Sequence, residues 1–367
     1  MNQTSIRYFV AIFLCFALQT ASVSYADLKV QPLLRSLDSP WGMAFLPDGE
    51  VLITMKEGAL LRTDLQNKNP RWIEGLPDSS VKGQGGMLDV ALHPNFETNH
   101  WIYLTFTRKV SGGYTTALAR GVLKSNSLDK VVVLFTANAV NTGGRHFGSR
   151  LAFDNQGYLY MTVGDRGERE FAQDLLHHNG KVLRFHDDGR IPEDNPYVGR
   201  LDALQEIYTY GHRNPQGLVF DERSGRMWLH EHGPRGGDEL NLLKSGANYG
   251  WPVVTYGREY SGFSITDKTE MPGVESPVFY WDPSIAPSGL TIYRGNLFSD
   301  WEGDLIVGAL KYQLVTRVQM SGDIALGEER YLGSRNERIR DVDVGADGAL
   351  YVLTDGNDAQ LWRVLPE

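Results

Sequence analysis

One phrase recurs six times along this chain: a small residue, an alternating apolar strand, a tight Pro/Asp-Gly turn, a second apolar strand, then glycine and a polar third strand. The first copies run Gly42 to Gly49 with Val51 to Thr54, Leu88 to Pro94 with Trp101 to Phe106, and Leu151 to Gly157 with Tyr158 to Val163. The others are Gly217 to Asp221 with Arg226 to His230, Gly289 to Arg294 with Asp304 to Gly308, and Val342 to Gly348 with Leu350 to Thr354. A repeat that cannot bury its faces alone must stack on its neighbours, and a spacing of about 45 to 70 residues is the length of one four-stranded antiparallel sheet. The chain is therefore predicted to be all-β, a six-bladed β-propeller of four-stranded antiparallel blades. A pair of β-sandwiches is the alternative, but it would not require one phrase along the whole chain.

Forty glycines with 17 Tyr, 15 Phe and 8 Trp agree with turns and strands rather than long helices. Arg7 precedes an apolar stretch from Tyr8 to Leu18 that ends in the small-x-small pattern Ser24-Tyr25-Ala26. That pattern predicts a cleaved secretory signal over 1–26, export to the periplasm, and a single propeller domain over 27–367. The stretch is short for a membrane anchor, and no later segment is long enough to span a bilayer. The one cysteine, Cys15, falls inside the leader, so neither disulfides nor thiol catalysis are expected in the mature chain. Losing Arg7 with the leader takes the formal net charge from -9 to about -10, which argues against nucleic acid as a partner.

The densest cluster of chemically capable groups is Gly211 to Gly217 followed by His232 to Asn241. Arg213 offers a rigid fork of donors for anionic oxygens and Asn214 a neutral amide, both at the entrance of the strand beginning near Leu218. His146, in Arg145 to Arg150, stands at the equivalent entrance of the third copy, and Gln84 at that of the second. Entrances of one kind converge on a propeller's central channel. There His146 is the natural general base, and Asp165, just after the paired strand, is placed to orient the imidazole. Lys311 follows an inner strand, and Arg338 and Arg340 precede the last copy. Four cations at blade mouths of an acidic protein point to an anionic ligand. Gly233, Pro234, Asp238 and Glu239, with the turn at Asn248 and Tyr249, supply oxygen ligands suited to calcium, although their spacing matches no helix-loop-helix calcium motif. His177-His178 and the pair His230 and His232 lack a third placed ligand for a transition metal.

Three segments, Gly211 to Gly217, Gly246 to Pro252 and Arg338 to Val342, resemble the soluble quinoprotein glucose and sorbosone dehydrogenases, above all the shorter periplasmic aldose sugar dehydrogenases. The resemblance covers most of the mature chain. It implies a propeller that carries pyrroloquinoline quinone and calcium and oxidises an aldose at its anomeric carbon to the lactone. His146 then takes the anomeric hydroxyl proton as hydride passes to the quinone, and Arg213 stabilises the oxyanion that develops. Gln84, Arg213, Asn214, Lys311, Arg338 and Arg340 match cofactor positions, with Tyr260, Tyr312, Gln313 and Leu314 flanking them. Gly233 and Pro234 match carbonyl ligands of the cofactor's calcium, and Glu239 and Tyr249 a separate structural calcium.

Arg145 stands where the family's best-known glucose enzymes carry an acid, and this chain lacks their longer loops. Broad acceptance of aldoses, including disaccharides, and a monomeric state are the resulting expectations. The electron acceptor is left open. A calcium-dependent propeller lactonase and a noncatalytic carbohydrate-binding propeller are the competing classes. The first would want side-chain carboxylates converging on the metal, and the second leaves His146 and the cations without a shared purpose.

Overall fold

The computed structural model describes residues 28–66 and 69–367, and over these the chain forms six four-stranded antiparallel sheets. The proposed leader, with Arg7 and Cys15, lies outside the described residues. The first strands of blades 1 to 6 are Pro40–Phe45, Met87–Leu92, Leu151–Phe153, Pro215–Asp221, Pro287–Ile292 and Ile339–Val344. Each is the first strand of one copy of the repeated phrase. Blades 1 to 5 take four consecutive strands, whereas blade 6 has three and borrows its outermost from Lys29–Leu37, which pairs with Ala359–Leu365. Joining the first and last described strands in one sheet closes the ring and leaves no blade gap among the described residues to act as an open edge.

The ring is held by six apolar clusters, one between each pair of neighbouring blades. Leu52 and Leu60 of blade 1, for example, share a cluster with Met87, Ile102 and Phe106 of blade 2. Because both faces of a blade are covered, second strands such as Leu159–Val163 and Leu350–Thr354 are buried along their whole length and read as continuous apolar runs. At the hairpin between the first two strands, Gly49 and Gly348 have φ of 85° and 76°, the left-handed backbone that the repeated Asp-Gly supplies without a Cβ penalty.

Threonines stitch blade to blade. The first strands bulge near their entrance, and there Thr105 Oγ1 accepts the Asp89 amide at 2.9 Å and donates to Ser149 O of the next blade at 2.7 Å. Thr162 does the same, accepting from the Arg150 amide at 3.0 Å and donating to Pro215 O at 3.2 Å. Thr54 repeats the pattern with Gly42 and Leu88 O. The small residue of the phrase has a steric cause: a Cβ on Gly42 would lie 2.6 Å from Asp89 Oδ1, and one on Gly289 2.4 Å from Asp341 Oδ1.

Candidate active site

Two kinds of connection meet at one end of the ring: those entering each first strand, and the turns between second and third strands. Gln84, His146, Arg213, Asn214 and Arg338 lie on the first kind, and Asp165, Gly233, Pro234 and Lys311 on the second. A cavity of 340 Å³ opens between them, lined by Gln84, Asn214, Arg338 and Arg340 together with Lys56 and His232. Trp41, Leu88 and Phe147 pack as a cluster against it from below.

His146 sits in the left-handed region, φ 56°, and its amide donates to Gln84 Oε1 at 2.8 Å. That strained backbone is held by Arg166, which is buried, has no carboxylate partner among the described residues, and donates to the carbonyls of Arg145 and Gly143 while stacking on Phe147 at 3.5 Å. The imidazole is 11% exposed and its Nδ1 lies 2.6 Å from Asp165 Oδ1. Burial lowers the His146 pKa, and the charges of Arg213 and Arg145 add to this against the opposing pull of Asp165. Burial alone would raise Asp165, but hydrogen bonds from His146 and the Gly167 amide, and the charge of Arg213, outweigh it and hold the carboxyl below its usual range. An ionised carboxylate only accepts, so Nδ1 carries the proton and donates. Nε2, with no protein partner among the described residues, is left as an unprotonated base.

Glu231 organises the Arg213 segment. Its Oε1 lies 2.7 Å from Nδ1 of the fully buried His212, and its Oε2 accepts the Arg213 amide at 2.5 Å. The Arg213 guanidinium, 6% exposed, donates to His232 O at 3.1 Å and Gly233 O at 2.9 Å and lies 5.4 Å from the ring of Trp251. The Gly233 carbonyl is thus turned toward Arg213, and Asp238 secures the same turn by accepting the amides of Gly233, Ile285 and Ala286. Asn241 Nδ2 spans Glu231 and Glu239 at 3.4 and 3.3 Å while its buried Oδ1 has no partner among the described residues. Burial, then the charge of Glu231, push the Glu239 carboxyl well above the usual range. Two close carboxylates and an orphaned amide oxygen are the surroundings a hard cation would satisfy. The Tyr249 hydroxyl is already engaged with Leu242 O and the Lys244 amide, so only its main chain is free to serve as a ligand.

The cationic wall is partly self-compensated. Arg338 Nε and Arg340 Nε and Nη2 all donate to Asp355, at 2.8 to 2.9 Å, leaving two cations on one carboxylate. Burial works against Asp355 ionisation, but the two guanidiniums prevail and depress its pKa. Lys311 is exposed above the Tyr312 ring at 5.5 Å, and Gln313 completes the same turn with φ 54°. The Leu314 side chain, 1% exposed, belongs to the core between blades 4 and 5. Tyr260 is 72% exposed on a short hairpin tied to the Asp165 loop by the Arg169–Glu259 pair at 2.6 Å.

Sequence reasoning did not single out Lys56, Asp355, Trp251 or Arg150. Arg150 lies on the ring axis under the cavity, pairing with Asp89 of blade 2 at 3.2 Å and Asp341 of blade 6 at 2.9 Å, donating to Gln216 O of blade 4 at 2.7 Å, and stacking on Trp41 at 4.3 Å. These channel carboxylates are therefore consumed by a cation rather than offered to a metal. No group of three or more His, Cys, Asp or Glu among the described residues is arranged to hold an ion. His178 is bound to Glu206 at 2.9 Å, and burial drives His230 and His232 down to about 3.

The glucose/sorbosone dehydrogenase family profile matches residues 37–363. The chain is 43% identical over 348 residues to the aldose sugar dehydrogenase YliI of Escherichia coli (strain K12), covering 93% of this chain and 94% of that protein. The crystal structure of the soluble aldose sugar dehydrogenase from Escherichia coli in the apo-form superposes with a TM-score of 0.90 at 40% identity, over 93% of this chain and all of that one. The PQQ-bound form of an aldose sugar dehydrogenase from Streptomyces coelicolor superposes with a TM-score of 0.76 at 27% identity, over 93% and 99% of the two chains.

Proposed function

The chain belongs to the glucose/sorbosone dehydrogenase family, and from this we propose that it is a quinoprotein oxidoreductase that oxidises aldose sugars at the anomeric CH–OH to the lactone. The observation that carries the reading is a buried imidazole, held by Asp165 at 2.6 Å, next to Phe147 and Gly148 in the wall of a cavity that Lys56, Arg338 and Arg340 also line. His146 Nε2 takes the proton of the anomeric hydroxyl while the C1 hydrogen leaves as hydride. Asp165 holds the imidazole through the proton transfer and stabilises the imidazolium. Pyrroloquinoline quinone, when bound, supplies the hydride acceptor.

The donor set fits that planar tricarboxylate. Lys56, Arg338 and Arg340 line the cavity with one carboxylate, Asp355, which the two arginines share, so an anionic ligand meets net positive charge, to which Lys311 on a neighbouring turn would add. Gln84 and Asn214 offer neutral amides on the same wall, and Arg213, fixed by the carbonyls of His232 and Gly233 that flank it, would reach the ligand from beside the cavity. Tyr260, Tyr312, Gln313 and Leu314 are assigned to the rim, Leu314 through its main chain. The carbonyls of Gly233 and Pro234 would hold a calcium ion at the cofactor, and Glu239 with the Tyr249 main chain a second one beside Asn241.

Secretion through cleavage of residues 1–26 would place the enzyme in the periplasm, as a monomer without membrane insertion. Among the described residues no helix is long and apolar enough to cross a membrane. The decisive experiment reconstitutes purified apoprotein with the quinone and calcium and follows dye reduction with several aldoses. Saturable quinone binding with aldose-dependent dye reduction is expected, and absence of quinone binding would sink the reading.

A further inference from the structure

The phrase Gly246 to Pro252 belongs by sequence to the long segment between the third and fourth strands of blade 4, yet its end reaches blade 3. The Tyr249 amide donates to Tyr210 O at 2.9 Å and the Trp251 amide to Gly211 O at 2.8 Å, so the segment runs beside the last strand of blade 3 up to the cavity mouth. Gln173 locks it there, exchanging hydrogen bonds with the Asn248 side chain and donating to Trp251 O at 2.8 Å. The Trp251 indole is 6% exposed, and its N–H donates to Asp165 Oδ2 at 2.9 Å. The other oxygen of that carboxylate serves His146 and the Gly167 amide, both at 2.6 Å. The indole ring lies 5.4 Å from the Arg213 guanidinium, within cation–π range. One side chain therefore touches the partner of the base and the cation opposite it.

A terminal carboxylate torsion is broad and roughly two-fold, so its plane is set by what holds each oxygen. With Oδ2 unpaired, Asp165 can turn about its last bond, and the line from Oδ1 to His146 Nδ1 turns with it. We propose that Trp251 is a positioning residue for the reaction: its indole N–H fixes the plane of Asp165 and so the tautomer and direction of His146, while its ring face supports Arg213. The role in turnover rests on the dehydrogenase reading above. The positioning itself belongs to the protein without cofactor.

The test therefore starts on the apoprotein. The downfield proton resonance of His146 Nδ1–H, identified by its loss in His146→Asn, is compared in wild type, Trp251→Phe, and a variant carrying the benzothiophene isostere of tryptophan at 251, which keeps the ring shape and lacks the N–H. Both substitutions are expected to shift or broaden that resonance. Losing a donor also makes Asp165 a better acceptor, raising the His146 titration by about half a unit against the unchanged charges of Arg213 and Arg145 and the neutral His232. After reconstitution with pyrroloquinoline quinone and calcium, kcat falls by about ten-fold with KM nearly unchanged, as for loss of one hydrogen bond made by the catalytic pair. An unshifted resonance with unchanged kcat in the isostere variant overturns the proposal, and so does a lowered melting temperature with the resonance in place. If wild type fails to oxidise aldoses, the dehydrogenase reading falls while the apoprotein resonance still decides the role of Trp251.

Discussion

Asp165 Oδ1 and His146 Nδ1 lie 2.6 Å apart in a setting that leaves the carboxylate ionised and the imidazole neutral. Burial is the largest influence on each group and acts oppositely on the two, while hydrogen bonding between them favours the charged form of both. The shared consequence is a base whose free nitrogen is ready below neutral pH.

A pH profile follows from that direction. His146 titrates below its ordinary 6.5, so the neutral form is complete above that value and is lost as pH falls through the lowered pKa. In the reconstituted enzyme kcat/KM rises along one limb at acid pH and is flat from about pH 7 upward. His146→Ala removes the limb and costs about a hundred-fold or more in kcat while quinone binding persists. A limb centred well above 6.5 would assign the base elsewhere.

Arg340 is the better probe of the cationic wall, because its guanidinium is mostly buried whereas Arg338 is half exposed, 14% against 48%. Removing a charged donor from such a position costs about 1.5 to 3 kcal/mol of ligand binding, roughly ten- to a hundred-fold in Kd. Arg340→Ala is expected to weaken quinone binding by that factor in a fluorescence titration, with a smaller loss for Arg338→Ala. Equal affinity for wild type and Arg340→Ala would remove Arg340 from the site.

The six first strands were legible because a two-residue alternation recurs, and in blades 1, 3, 4 and 6 a left-handed glycine, Gly49, Gly157, Gly225 or Gly348, marks the hairpin at a fixed offset. Blade 2 departs from the phrase, joining its first two strands through the helix Phe96–Asn99 and left-handed His100, and blade 5 through a 3-10 turn at Ser299–Trp301. Position before a strand likewise marked Gln84, His146, Arg213 and Arg338, since a propeller gathers such positions at one mouth. Lys56 and Asp355 were hidden because they follow second strands, in turns that look like ordinary solvated loops. Trp251 finds Asp165 across 86 residues of chain, and the partners of Arg150 lie on other blades, so no local pattern announces them. Tyr260 and Leu314 came from resemblance alone, and their exposure and core burial respectively were not readable from spacing.

Arg150 is expected to dominate the stability of the ring. Its removal leaves Asp89 and Asp341 buried without their cation, a loss of about 3 to 5 kcal/mol for a broken buried pair. Burial already pushes Asp89 up to about 6 against the opposing charge of Arg150. A carboxyl raised in the folded state binds its proton there while the unfolded chain has released it, so this contribution is present near pH 4 and fades as pH rises to about 6. Arg150→Met extends that window upward, and urea denaturation from pH 5 to 8 should show a steeper loss of stability than wild type. A parallel pH dependence would show that the axial carboxylates do not rely on Arg150.

Calcium removal separates structural from catalytic roles at Glu239. Without a cation, Glu239 and Glu231 oppose one another across Asn241, whose Oδ1 has no partner among the described residues. A cation bound there relieves the repulsion, and binding to the folded state alone stabilises it by about 2.7 kcal/mol at a hundred times Kd. Wild-type apoprotein is expected to melt several degrees higher in calcium than in chelator. Glu239→Gln keeps the size and removes the repulsion, so its melting temperature in chelator is expected to exceed that of wild type while the gain on adding calcium disappears. Persistence of the full calcium gain in Glu239→Gln would place the stabilising ion away from Glu239.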